Sequence, residues 1–96
     1  MVLEIIMPDA KIFKGEVDAV KFPGKGGSFQ VLKNHAPIIA ALEEGKIKID
    51  LSSPYRMFND LTGRIEHDPS KDKELFVCIK GGVMEMLNNQ IIVLAE

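Results

Sequence analysis

The sequence predicts an all-β fold, a flattened sandwich or barrel built from short strands. Three observations carry that reading. Ile occurs 11 times and Val 7 times against 6 Ala, and branching at Cβ favours extended backbone. Apolar residues recur either with period two or in short continuous runs, the two patterns of half-covered and fully covered strands. Turn residues separate these runs at intervals of about eight to twelve residues, as in sandwiches and barrels. No segment of about 15 residues carries a helical repeat. With 96 residues, 46% apolar and 27% charged, residues 1–96 make one globular domain.

Taken in order, Val2–Met7 and Lys11–Phe13 are strand candidates, separated by Pro8-Asp9. Val17-Asp18-Ala19-Val20-Lys21-Phe22 alternates and then shifts phase after Ala19. One extra residue produces such a shift, so a β-bulge is expected there. Pro23-Gly24 and Gly26-Gly27 form the next turn. Ser28–Leu32 places Phe29 and Val31 on one face. Lys46–Leu51 is the clearest strand, with Ile47, Ile49 and Leu51 inward and charges outward. Leu75–Ile79 and Ile91–Leu94 are continuous apolar runs, read as strands covered on both sides or lying at an interface. On that basis Phe29, Val31, Ile47, Ile49, Phe76, Cys78 and Val93 are the expected core. Asn88-Asn89 suits a two-residue hairpin, because Asn tolerates left-handed backbone. Between the strands, Ser53 as cap, Pro54 at the first position and Gly63 beyond the end allow a short helix over 53–63. Tyr55, Phe58 and Leu61 would share its face; an extended excursion is the alternative. His67–Glu74 reads as a solvated loop.

Composition excludes several functions. Lys plus Arg number 12 and Asp plus Glu 14, and no basic patch marks a nucleic-acid footprint. Apolar stretches reach about half a dozen residues, against roughly 20 for a spanning helix. The N-terminus lacks the charged start and long apolar run of a signal peptide. A single cysteine allows no internal disulfide and fits a cytosolic protein.

Four segments invite a chemical reading and fail it on context. Gly24-Lys25-Gly26-Gly27-Ser28 lacks the adjacent Lys-Ser/Thr pair and the following helix of a phosphate loop, so its glycines serve a turn. His35 and His67 are too few for a metal site, which needs three or four converging ligands. His35 has no nucleophile or carboxylate placed beside it by spacing, and a contact or turn role fits better. Cys78, alone in an apolar run, reads as a buried structural thiol. Val83-Met84-Glu85-Met86-Leu87 has the shape of a biotin-carrying hairpin, but Glu85 offers no amine to acylate. No catalytic residue emerges, and no metal or cofactor. The residues alone leave two classes open, an assembly subunit or a small ligand-binding β domain.

Several segments, taken together and in order, match one family. They are Gly15-Glu16-Val17-Asp18, then Pro23-Gly24 with Gly27, Phe29 and Val31-Leu32, then His35-Ala36-Pro37, then Lys80–Glu85, then Val93-Leu94-Ala95-Glu96. The chain resembles the N-terminal domain of the epsilon subunit of rotary F-type ATP synthase over nearly its whole length. That resemblance implies a sandwich of about ten strands in the central stalk, beside the gamma subunit and on the ring of c subunits. It implies a non-catalytic rotor part that couples ion translocation to ATP synthesis, peripheral on the cytoplasmic side of the cell inner membrane and not inserted in it. By position, Gly24, Lys25, Gly26, Gly27, Ser28 and His35 would face the c ring, and Met7, Ile38, Ile39 and Ala40 would face gamma. The family commonly continues into a two-helix hairpin, which in some members binds ATP. This sequence stops at Glu96, so a short form that binds no ATP is expected. Ser28, Gln30 and Lys33-Asn34 depart from the family pattern, and residues 52–74 exceed the usual hairpin. The alternative is a stand-alone β-sandwich module for a ligand or peptide.

Overall fold

The structure is a computed structural model, and it describes residues 1–54 and 65–96. Seven strands occur among them: β1 (Val2–Met7), β2 (Ala10–Phe22), β3 (Phe29–Leu32), β4 (Ile38–Leu51), β5 (Ile65–Glu66), β6 (Glu74–Leu87) and β7 (Gln90–Ala95). The described residues contain no helix. Tyr55, Phe58 and Leu61, which carry the expected helical face, lie outside them.

The strands pair in the order β1-β7-β6-β4-β2-β3, and β1 also pairs with β2. That last pairing closes β1, β7, β6, β4 and β2 into a ring, which leaves few free edges. The ring is flattened, with extents of 31 × 28 × 21 Å. Three long strands serve both layers by bending. The first halves of β4 and the second of β6 pair over Ile38–Glu43 and Gly81–Met86; their other halves pair over Gly45–Asp50 and Glu74–Ile79. Between the halves the inward set changes phase. On β4 it passes from Leu42 to Ile47, and on β6 from Ile79 to Met84. Glu43-Glu44-Gly45 and Lys80-Gly81-Gly82 are therefore matched corners, where glycine lets the strand turn from one layer to the other. β2 does the same, pairing with β1 through Ala10–Glu16 and with β3 and β4 beyond it. Against the ten strands expected from the family resemblance, the described residues form seven, three of them bent.

The expected bulge is present. Val17 faces Leu51 and Ala19 faces Asp50, so Asp18 is the extra residue, and Ala19 and Val20 are both buried. A second shift lies opposite Ile5 and Ile6; it turns both Ile12 and Phe13 inward. The Asn88-Asn89 turn is also as read, with φ of 52° and 60°.

Of the expected core, Val31, Ile47, Ile49 and Val93 are fully buried. Phe29 and Phe76 are half-buried. Cys78 is exposed, which corrects the reading of a buried thiol. The reason is alternation: Leu75, Val77 and Ile79 point into the core, so Phe76 and Cys78 point out. Ile91–Leu94 behaves likewise, with Ile91 and Val93 in, Ile92 and Leu94 out. Among the described residues, neither run is fully covered on both faces.

Candidate functional site

The outer faces of the two layers differ in character. One layer is made of the first half of β2, β1, β7, the second half of β6 and the first half of β4. Register aligns its outward residues in rows. Ile39 lies opposite Glu85, Glu85 opposite Ile92, and Ile92 opposite Glu4. In the next row Ala41, Val83, Leu94 and Ile6 follow one another. Six large apolar side chains are exposed among the described residues, and five of them stand on this face: Ile39 at 71%, Leu94 at 58%, Leu87, Val83 and Ile92. The sixth, Leu32, ends β3. Glu4 at the far border is paired with Lys11 at 3.0 Å. The hydrogen bond from that ammonium holds the Glu4 carboxyl below its usual range.

The other layer turns charge outward. Lys46 meets Glu66 at 3.1 Å and Lys48 meets Glu74 at 3.8 Å. The Lys46 ammonium also lies 5.9 Å from the centre of the Phe76 ring. Cys78 Sγ donates to Glu66 Oε2 at 3.5 Å. Partial burial and that carboxylate push the thiol up, the wrong direction for a nucleophile.

The residues singled out for c-ring contact occupy two loops flanking β3, whose four residues set them at least about 13 Å apart along the strand. Gly24–Ser28 docks along the edge of β4. Gly24 bridges Leu42, Lys25 N donates to Ala41 O at 3.1 Å, and Glu43 N donates to Pro23 O at 2.8 Å. Gly24 is buried, and a Cβ there would sit 2.7 Å from the Phe29 ring and from Gly27 O. Lys25, Gly26, Gly27 and Ser28 are exposed. His35 is exposed at the mouth of β4, with Nδ1 2.7 Å from the Ala36 carbonyl. The loop thus borders the apolar face along β4.

The four residues matched to gamma contact do not share a surface. Ile39 stands outward, while Ile38 and Ala40 are half-buried against the core, as alternation on β4 requires. Met7 is 7% exposed and belongs to the core cluster. Motif matching did not reach the other large apolar residues of this face, Val83, Leu87, Ile92 and Leu94; their signal was the unbroken apolar run on β7 and the Val/Leu positions flanking the two Met of β6.

A cleft of about 1050 Å³ opens beside the β4 and β6 corners, lined by Met7, Glu44, Lys46, Cys78 and Lys80 among others. No three His, Cys, Asp or Glu side chains converge as a metal set among the described residues. No helix there is long and apolar enough to cross a membrane.

Comparison with known proteins agrees with the motifs. Residues 1–58 match the family described as ATP synthase, Delta/Epsilon chain, beta-sandwich domain. The chain is 38% identical to the ATP synthase epsilon chain of Chlorobaculum tepidum over 98% of its own length and 86% of that protein. It is 37% identical to that of Chlorobium limicola over the same shares. Against the Salinibacter ruber epsilon chain it is 29% identical over its full length but only 58% of that relative. In fold it is similar to a chain of the Euglena gracilis mitochondrial ATP synthase, OSCP/F1/c-ring assembly, at a TM-score of 0.72 and 18% identity, covering 99% of this chain and 49% of that one. A chain from the Tetrahymena thermophila mitochondrial ATP synthase central stalk and c ring gives 0.71 at 12% identity, over 99% and 62%. The chain belongs to the ATP synthase epsilon family, as its β-sandwich domain.

Proposed function

We propose that this chain is a non-catalytic rotor subunit of an F-type ATP synthase, seated in the central stalk. It links gamma to the c ring, so that ion translocation through the ring drives ATP synthesis at distant sites. It is peripheral, on the cytoplasmic side of the inner membrane, and it makes and breaks no bond itself. The observation that carries this reading is the apolar outer face of β4, β6 and β7, in a chain of this family.

The chemistry divides the work. A face bearing Ile39, Val83, Leu87, Ile92 and Leu94 gives a dry and lasting grip on gamma, with which the subunit must turn as one body. The Gly24–Ser28 loop and His35 meet the polar loops of the c ring. Small and polar residues there allow close backbone approach without a large desolvation cost.

The test is capture of gamma. Ile39→Glu puts a charge on the grip and should lower capture about tenfold or more. Lys71→Glu, in the solvated loop, should leave it unchanged. Equal effects of the two, or none, would overturn the assignment of this face.

A further inference from the structure

Two turns, 55 residues apart in sequence, are tied together at the mouth of β4. The backbone N–H of Asn34 donates to Asn89 Oδ1 at 2.7 Å. The Asn89 amide nitrogen donates back to Asn34 Oδ1 at 2.9 Å. The two bonds fix each other's chemistry: a backbone N–H must meet an oxygen, so the other side of the Asn89 amide is the donor.

Both residues sit where few others could. Asn34 has φ of 67°, and His35 N donates to Leu32 O at 3.1 Å. Leu32–His35 is thus a type II turn with Asn at the position that requires positive φ. Asn89 is the second residue of the β6–β7 turn, at φ 60°. The β4–β6 ladder ends at Ile38 and Met86, and the tie clasps the two chains just beyond that end. A groove of about 430 Å³ lies immediately inside it, between Pro37-Ile38-Ile39 and Glu85-Met86-Leu87.

From this geometry we infer that the Asn34–Asn89 pair is a positioning device for partner contact. It holds the His35 loop against the β6–β7 tip, so that His35, Ile39 and Leu87 are presented to the rotor partners as one surface. The β6–β7 tip is thereby part of the contact surface, although no motif marks it. Without the tie, the described bonds within the His35 loop are those of its own turn, and the loop must be ordered at the moment of binding, which weakens association. This inference rests on the proposed rotor role of the His35 loop and the apolar face.

Asn89→Gly separates positioning from folding. Asn-Gly is the favoured pair for a two-residue hairpin turn, so this variant keeps the turn and removes only the tie. Asn88→Gly makes the matching backbone change and leaves the tie in place. In Asn89→Gly, hydrogen exchange at the Asn34 amide should quicken about tenfold, as loss of one such bond implies. Affinity for assembled gamma and c ring should fall about three- to tenfold. The thermal midpoint should stay level or rise, and Asn88→Gly should match the wild type in exchange and binding. Unchanged exchange at Asn34 would mean that no tie exists in solution. Faster exchange with unchanged affinity would reduce the tie to a local contact and overturn the inference. Ile39→Glu, measured alongside, separates the two claims: if it too leaves binding intact, the rotor-facing assignment itself has failed.

Discussion

At the scale of single residues, the corners of the sandwich are the least forgiving positions. Gly82 has φ of 154°, and a Cβ there would collide with the Leu94 carbonyl oxygen and lie 2.9 Å from Ala95 Cα. Both obstacles are backbone of a paired strand, which cannot swing aside as a side chain would. Gly82→Ala should therefore cost about 1–3 kcal/mol, read by denaturant unfolding; a change near zero would mean the corner is looser than its geometry. Gly26 has open space around it and provides the contrast, since Gly26→Ala should be close to neutral. Cys78 makes a second prediction at this scale. Its thiol is exposed but raised in pKa, by partial burial first and the Glu66 carboxylate second. A thiol reagent should modify it in the folded protein, slowly near neutrality and faster as pH rises. Glu66→Gln removes the carboxylate's share and should quicken the reaction at pH 8. A thiol that reacts only after unfolding would contradict its place on the outer face.

At the scale of elements, much of the fold was legible and its failures have physical causes. Strict alternation in Lys46–Leu51 identified β4 and its inward set, and the phase shift after Ala19 identified a bulge. Leu75–Ile79 misled because an apolar residue on a strand reports burial only if the outer face is also covered. Here Phe76 is half-covered and Cys78 open. The joining of separate runs into 13- and 14-residue strands was hidden because a bend leaves the same glycine and phase-change signals as a turn. β5, two residues long, leaves no pattern at all. Ile49 is fully buried, and Ile49→Ala should cost about 2–5 kcal/mol; a loss under about 0.5 kcal/mol would place it at the surface. β5 is also fastened by charge. Hydrogen bonding to Lys46 holds the Glu66 carboxyl below its ordinary 4.5. A lowered folded-state pKa gives a contribution present above the unfolded value and lost as pH falls through the folded one. This exposed pair should thus help hold β5 at neutral pH and let go below about pH 4.5, with a small effect that salt screens. Faster amide exchange at Ile65 and Glu66 in Lys46→Met at neutral pH would show it, and no difference would show that backbone pairing with β6 suffices.

At the scale of the whole molecule, the governing fact is the asymmetry between the two outer faces. One carries paired charges at Lys46, Glu66, Lys48 and Glu74; the other carries five exposed large apolar residues in register. Little of this asymmetry was readable in advance. The family motifs located the loops around Gly24 and His35, and they reached one residue of the apolar face, Ile39. They could not reach the rest, because Val83, Ile92 and Leu94 become neighbours only through the pairing of β6 with β7 across the layer. The asymmetry sets opposite demands on the free and the assembled chain. Free in water, a row of exposed apolar residues without a cover favours association between copies. On the proposed assembly the same row would be the adhesive, and charge placed within it would leave a desolvated carboxylate facing an apolar surface. The double variant Ile39→Glu, Leu94→Glu should therefore move two properties in opposite directions. Sedimentation of the isolated chain should show less self-association than the wild type as concentration rises, with the core and thermal midpoint little changed, because both side chains point away from the interior. Assembly with gamma should be lost. A charged variant that still assembles would show that the grip lies elsewhere. If the variant sediments as the wild type does, with both monomeric at high concentration, the face would be too dispersed to act as a patch, and the grip on gamma would have to come from polar contacts along the Gly24–Ser28 border instead.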